Sequence, residues 1–176
     1  KRIQQTPDSP EALAVIPTLK LADLERKNKT IPLQVTEQRE TKILFHDLAT
    51  SSIAYVDVGF NLYAMEQEYL PYVPLFGRTL LELGTEKEDF VTLSQRINSK
   101  TGGIYPQSFS SALRDTKGGT SWLFLRGKAM LAQSHELMDI LRDVLLTVKL
   151  DNQERFRQML LEEKARQEQK LVPEGH

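Results

Sequence analysis

Leu137, Ile140, Leu141, Val144, Leu145 and Val148 recur at i, i+3, i+4, i+7, i+8 and i+11. That spacing lines all of them along one stripe of an α-helix. A stripe this wide must be buried against a second layer, so the rest of the chain has to supply one.

The partner is written in a different period. Ala54, Val56, Val58, Phe60 and Leu62 alternate with Tyr55, Asp57, Gly59 and Asn61, a period of two that marks a strand. Thr41–His46 reads as a strand before it, with Asp47–Ser52 joining the two as a hairpin. The period then becomes helical from Leu70 to Leu83, with Val73, Phe76, Leu80 and Leu83 on one stripe and Gly84 as the stop. Thr85-Glu86-Lys87-Glu88 reads as a capping box opening a second helix that carries Phe90, Leu93 and Ile97. Gly102-Gly103 ends it. Ile104–Leu113 and Ser121–Lys128 read as two further strands around a Lys117-Gly118-Gly119 turn, with Phe109 as the inward anchor of the first. The second is apolar on both faces, as a strand covered on both sides or lying at an interface is. After the opening stripe, Asp151-Asn152-Gln153-Glu154 reads as another capping box, and Phe156, Met159 and Leu160 give the last helix an apolar face. Beyond Leu161 that helix is polar all round. Two accounts fit: a solvated helix end, or a packing partner in sequence beyond this chain.

The order is β-β-α-α-β-β-α-α. It predicts an α+β fold, a mostly antiparallel sheet with helices packed on one face. Residues 1–40 show no period and carry Pro7, Pro10, Pro17 and Pro32, so they are expected to form an extended arm. Leu21 and Leu24 allow one short helical turn within it. Residues 41–176 are expected to form a single α+β domain. The chain opens on Lys1 and closes on Pro173-Glu174-Gly175-His176, so a fragment of a longer polypeptide is expected.

Chemistry is sparse. The 23 basic and 24 acidic residues nearly cancel, which gives no basic surface for nucleic acid. No apolar run approaches the ~20 residues a membrane span needs. With no cysteine, disulfides, thiolate metal sites and a cysteine nucleophile are excluded. His46, His135 and His176 have no second histidine at i+3 to i+5, and no H-E-x-x-H or H-x-x-E-H occurs. Surface or cap roles account for them, because zinc needs three or four convergent ligands. Ser108, Ser110 and Ser111 lack a histidine partner and read as a polar strand face. Lys100-Thr101-Gly102-Gly103 and Lys117-Gly118-Gly119-Thr120 are turns, not phosphate loops. Glu66/Glu68, Glu86/Glu88/Asp89 and Glu162/Glu163 sit where caps or solvated helix faces explain them. No constellation supports catalysis or a cofactor within these residues.

Several blocks resemble one family. They are Thr6-Pro7-Asp8-Ser9-Pro10-Glu11-Ala12-Leu13 with Ile16-Pro17 and Leu21-Ala22-Asp23, then Leu70-Pro71-Tyr72-Val73-Pro74-Leu75-Phe76 through Leu80-Leu81-Glu82-Leu83-Gly84-Thr85, then Lys100-Thr101-Gly102-Gly103-Ile104, Leu125-Arg126-Gly127-Lys128-Ala129-Met130 and Gln153-Glu154-Arg155-Phe156. In this order the chain resembles the presequence protease/falcilysin-like subfamily of the pitrilysin (insulinase) zinc metallopeptidases. The resemblance implies a LuxS/processing-peptidase-like half-domain, the third and non-catalytic domain, opening the second half of a clam-like peptidase. It implies that residues 1–40 are a post-hinge arm, with Lys1-Arg2-Ile3-Gln4-Gln5 as the hinge's last residues. It implies zinc in another domain of the parent, on an inverted H-x-x-E-H helix, and unfolded, presequence-like peptides enclosed between the halves. The other domains of the same polypeptide would be the partners. Tyr72, Leu75 and Phe76 would then occupy the positions of the metal histidines and the glutamate. The family's substrate-contacting arginine and tyrosine belong to its fourth domain, so no such role passes to Arg126 or Tyr105. A stand-alone inactive homologue acting as a binding or assembly module is the alternative, and an enzyme with an unrecognised site is a third. The compartment stays open: soluble, cytoplasmic or organellar.

Overall fold

The structure, a computed structural model, describes residues 7–27, 29–114, 116–171 and 173. It divides into two compact units, Lys1–Leu48 and Ala49–His176. Lys1–Thr6 and His176, singled out above, lie outside the described residues.

The first unit holds a short helix, α1 (Pro10–Ala14), capped by Ser9, whose Oγ accepts from the Ala12 N–H at 3.2 Å. A 3-10 turn follows at Leu21–Asp23, where a short helical turn was expected. Then come β1 (Gln34–Gln38) and β2 (Thr41–Phe45), paired antiparallel from Gln34 opposite Phe45 to Gln38 opposite Thr41. The expected partner of Thr41–Phe45 was the strand beginning at Ala54, and the structure corrects this. Arg39 and Glu40 both take positive φ (48° and 63°), so the chain reverses there within two residues. Such a turn matches the twist of two adjacent strands. Every described side chain of both strands is exposed.

The second unit is the α+β body. Its sheet has the order β3-β5-β4, all antiparallel, with β3 at Ile53–Asn61, β4 at Ile104–Ala112 and β5 at Gly119–Met130. The last strand in sequence is thus the central one. β3 is preceded by a tight turn in which the Ile53 N–H donates to the Thr50 carbonyl and both Ser51 and Ser52 take positive φ. The molecule therefore has two small antiparallel sheets and five strands where one sheet and four strands were expected.

The helices are α2 (Val73–Glu82), α3 (Phe90–Lys100), α4 (Ser134–Leu146) and α5 (Gln153–Leu171). The first of these was expected to run unbroken from Leu70. It begins instead as a 3-10 segment, Gln67–Tyr72, in which Pro71 brings no N–H donor. Its buried face carries Val73, Gly77 and Leu80, and Phe76 stands exposed beside it. Gly84 follows the helix with φ 84°, the left-handed stop the sequence announced. Thr85 does not cap α3. Its Oγ1 takes the N–H groups of Lys87 and Glu88 in a local turn, and the cap is Asp89, which accepts from the Thr92 N–H at 2.8 Å. Likewise Asn152, not Asp151, caps α5 by accepting from the Arg155 N–H at 3.1 Å.

The core lies between sheet and helices. Leu137, Ile140, Leu141 and Val144 of α4 pack with Leu93 and Ile97 of α3, Ile104 of β4, and Leu125 and Ala129 of β5. The stripe's last member, Val148, lies past the helix and pairs with Thr85 in an isolated bridge. Gly127 lets α4 come this close, because a Cβ there would stand 2.6 Å from Leu137 Cδ1. Leu62, Val73 and Leu123 form a smaller cluster. Across the helix layer, the Arg96 guanidinium bonds Glu88 at 3.0 Å and the buried Asp143 at 2.9 Å. The hydrogen bond from Arg96 holds the Asp143 carboxyl below the usual aspartate range, against the opposing pull of burial.

Leu137→Ala should cost roughly 2–5 kcal/mol by urea unfolding. Gly127→Ala alone should cost roughly 1–3 kcal/mol, and clearly less when made on Leu137→Ala, where the clash is gone; additive costs would contradict the contact. Because the folded-state pKa of Asp143 is depressed, its contribution is complete above its unfolded value near ~3.9 and is lost as pH falls through that value towards the lower folded one. The stability gap between the native chain and Asp143→Asn should therefore narrow below about pH 4. A gap constant with pH would refute the ion pair's role.

Candidate functional site

Tyr72 ends the 3-10 segment and caps α2 with its backbone, and Leu75 and Phe76 follow in the first turn. Residues at i, i+3 and i+4 share one side of a helix. Tyr72 is exposed, Leu75 half-buried and Phe76 exposed. These side chains do not fit zinc: leucine and phenylalanine carry no donor atom, and one phenol is not a ligand set. Among the described residues, no group of three or more His, Cys, Asp or Glu could hold a metal ion.

The other candidates are placed as follows. His46 donates from Nδ1 to the Pro32 carbonyl at 2.9 Å, within the first unit. His135 is exposed at the start of α4, with Nε2 3.9 Å from Glu136. Ser110 and Ser121 share a hydroxyl hydrogen bond of 2.8 Å across β4 and β5, and Ser111 donates to the Ala112 carbonyl. Among the acidic clusters, Glu66 and Glu68 are exposed, Glu88 serves Arg96, Asp89 caps α3, and Glu162 and Glu163 meet Arg78.

The chemically distinctive surface is elsewhere. Along β5 the side chains of Leu123, Leu125 and Ala129 are buried towards the helices, so Trp122, Phe124, Arg126 and Lys128 stand on the opposite face. Arg126 sits opposite Asp57 of β3 and Tyr105 of β4. Its guanidinium forks onto the Asp57 carboxylate, Nε to Oδ1 at 3.0 Å and Nη2 to Oδ2 at 2.9 Å, and its Nη1 donates to Gln107 Oε1 at 2.7 Å. One side chain thus stitches all three strands on this face. The Asp57 hydrogen bond raises the Arg126 pKa further.

Aromatic rings continue the surface. Trp122 and Phe124 stack with centroids 6.1 Å apart, and Phe109 meets Phe124 edge-on at 6.3 Å. Trp122 Nε1 donates to Thr120 Oγ1, and the Tyr63 hydroxyl donates to the Gly119 carbonyl at 3.1 Å. Gly59, opposite Phe124, makes room for the ring: a Cβ there would lie 2.7 Å from Phe124 Cε1. An aromatic ring laid over a strand glycine covers backbone that the glycine leaves bare. Phe109 was expected to point inward. It is 45% exposed, because its register opposite Trp122 fixes it to this outer face. Tyr55 and Tyr105 are exposed nearer Arg126. Sequence pattern had signalled Trp122 and Phe124, since Ser121–Lys128 is apolar on both faces. It gave no sign of the Asp57–Arg126–Gln107 stitch, whose members come from separate strands.

An α+β body with one face sealed by helices, and the other bearing aromatic rings around a tethered arginine, is the architecture of a domain that packs against or encloses something else. The family model for the peptidase-associated domain of M16 peptidases, subfamily C, matches residues 1–176. The chain belongs to that family, as a presequence-protease-like, peptidase-associated domain and not the catalytic one. It is 38% identical over 173 residues to presequence protease 1, chloroplastic/mitochondrial, of Arabidopsis thaliana, a match covering 98% of this chain and 16% of that protein. It is 32% identical over 177 residues to protein HypA of Clostridium perfringens, covering 100% of this chain and 18% of the relative. With the mitochondrial presequence protease of Yarrowia lipolytica it shares 24% over 175 residues, 99% of this chain and 18% of the other. The chain therefore spans less than a fifth of the length of these relatives. No helix among the described residues is long and apolar enough to cross a membrane.

Trp122 is the only tryptophan, so its emission reports on this face. Gly59→Ala should push the Phe124 ring off its place, shift Trp122 emission and cost roughly 1–3 kcal/mol. Unchanged emission with unchanged stability would mean that the ring does not rest on Gly59.

Proposed function

We propose that this chain is a chamber-forming domain of a zinc-dependent metalloendopeptidase that degrades unfolded, presequence-like peptides. The observation that carries this is the family match across residues 1–176, joined to the names of relatives more than five times its length. In this reading the other domains of the same polypeptide are its partners, and one of them holds the zinc and the general base. The domain's work is geometric. It forms part of a wall that closes around the substrate, so that flexible peptides enter and folded proteins do not. Neither nucleic acid nor membrane enters the scheme. Residues 1–40 are the arm that leads in from the hinge.

The first turn of α2 supports a further point. In an inverted H-x-x-E-H helix the two histidines and the glutamate fall at i, i+4 and i+3. Tyr72, Phe76 and Leu75 have that spacing, on the helix that follows β3. Their side chains leave the turn able to pack or to touch peptide, with no metal to polarise a carbonyl or activate water.

The purified chain, supplied with zinc, should not turn over an unstructured fluorogenic peptide. Turnover abolished by a point change within residues 7–171 would overturn the proposal. Superposing the body on a zinc-binding domain of a solved relative should place Tyr72–Phe76 on the metal helix, and a remote position would sink that assignment. A parent reading frame that closes at His176, with no H-x-x-E-H upstream, would favour a stand-alone binding module instead.

A further inference from the structure

Helix α5 is attached to the body in an unusual way for its length. It runs from Gln153 to Leu171, yet Met159 is its one buried residue among those described. Burying one such side chain contributes roughly 1.5–3 kcal/mol, little to hold a helix of several turns in place. Phe156 is half-buried, and Leu160 and Leu161 are exposed. What α5 does have is charge pairing along its first three turns. Arg78 of α2, only 15% exposed, forks onto Glu82 at 2.9 Å and reaches across to Glu163 at 2.9 Å and Glu162 at 3.4 Å. In return Arg155 of α5 reaches back to the Glu82 carboxylate and carbonyl, each at 3.4 Å, and to Glu162 at 3.3 Å. The Arg155 guanidinium lies 4.7 Å from the centre of the Phe90 ring of α3. Past Glu163 the side chains are exposed, with pairs inside the helix such as Lys164–Glu168.

We propose that α5 is an electrostatic latch. It docks on α2 and α3 through the Arg78–Glu82–Arg155–Glu162–Glu163 network and undocks as a unit while the sheet and α4 stay folded. An apolar seam resists salt and charge removal, but a seam of partly exposed ion pairs does not. Arg155 also lines one end of a groove of ≈ 590 Å³ whose apolar floor includes Leu81, Phe90, Ile97, Ile104 and Pro106. Undocking withdraws Arg155 from that groove and leaves Phe90 uncovered, so the latch sets how much apolar surface the body shows beside β4.

Native-state hydrogen exchange on the full polypeptide tests this. Amides from Phe156 to Leu161 should exchange through an opening separate from, and easier than, that of α4 and β5. Replacing Glu162 and Glu163 together by glutamine should speed α5 exchange about tenfold or more and leave Ile140, Leu141 and Leu125 unchanged. Glu168→Gln, whose pair lies within the helix, should change α5 exchange little. On the unaltered protein, going from about 0.01 M to about 1 M salt should act in the same direction, since the screening length shrinks from ~30 Å to ~3 Å. The salt arm also stands if the double variant does not fold. Exchange of α5 in step with the core, or α5 protection indifferent to both salt and charge removal, would overturn the latch.

Discussion

The closeness of α4 to β5 governs the rest of the body. Gly127 removes the one side chain that would hold the helix off, and Leu137 fills the space. With that contact made, Leu125 and Ala129 on one side of the strand meet Leu137, Ile140, Leu141 and Val144 on one side of the helix. The strand's alternation then does the sorting: whatever lies between those buried residues must face the other way. The aromatic and arginine surface is therefore the geometric remainder of the core. A Cβ at Gly127 would act on both faces, because lifting the helix frees the central strand that fixes the register of β3 and β4.

Register is also what assembles the outer face. Asp57, Arg126 and Gln107 come from strands whose order in sequence differs from their order in space. The β4–β5 pair closes through a short turn, whereas β3 reaches β5 only across the intervening α2, α3 and β4. The second pairing carries the larger loop-closure cost. It is at that seam that the Arg126–Asp57 fork lies. An exposed ion pair is worth little by itself, but a bidentate fork held by two ladders loses less side-chain freedom than a free one. Phe124 over Gly59 adds an apolar contact across the same seam.

The parts legible in the sequence were those where one residue type repeats with one period. The Leu137–Val144 stripe, the alternation from Ala54 to Phe60 and the Gly84 stop all appear in the structure with the roles their pattern announced. The illegible parts are those where two local solutions compete. Arg39–Glu40 forms a tight reversal without the glycine or asparagine that usually signals one, so the pairing of Thr41–Phe45 was assigned to the wrong strand. Thr85 and Asp89 are both good cap residues, and the choice fell to Asp89 because Thr85 was already satisfied by its own turn. Phe109 sits in a serine-rich strand with no alternation to fix its parity, and only the pairing with Trp122 does so. Of the outer face, the rings of β5 could be anticipated, but the stitch around Arg126 could not, because nothing in a single segment carries it.

The same division of faces bears on how a peptidase fold can lose its chemistry and keep its shape. On the proposed correspondence, Tyr72, Leu75 and Phe76 hold the places of a metal helix. The residues of α2 that the core depends on are Val73, Gly77 and Leu80, on an adjoining face. Stability constrains the second set, since each is packed and a change there creates a cavity or a clash. It constrains the first set only weakly, because Tyr72 and Phe76 are exposed. Ligands on that face can therefore be exchanged for apolar groups at little cost in folding. In an enzyme with its zinc in another domain, what remains under constraint here is the wall: the sheet, the helices that seal it, and the surfaces that meet the rest of the polypeptide.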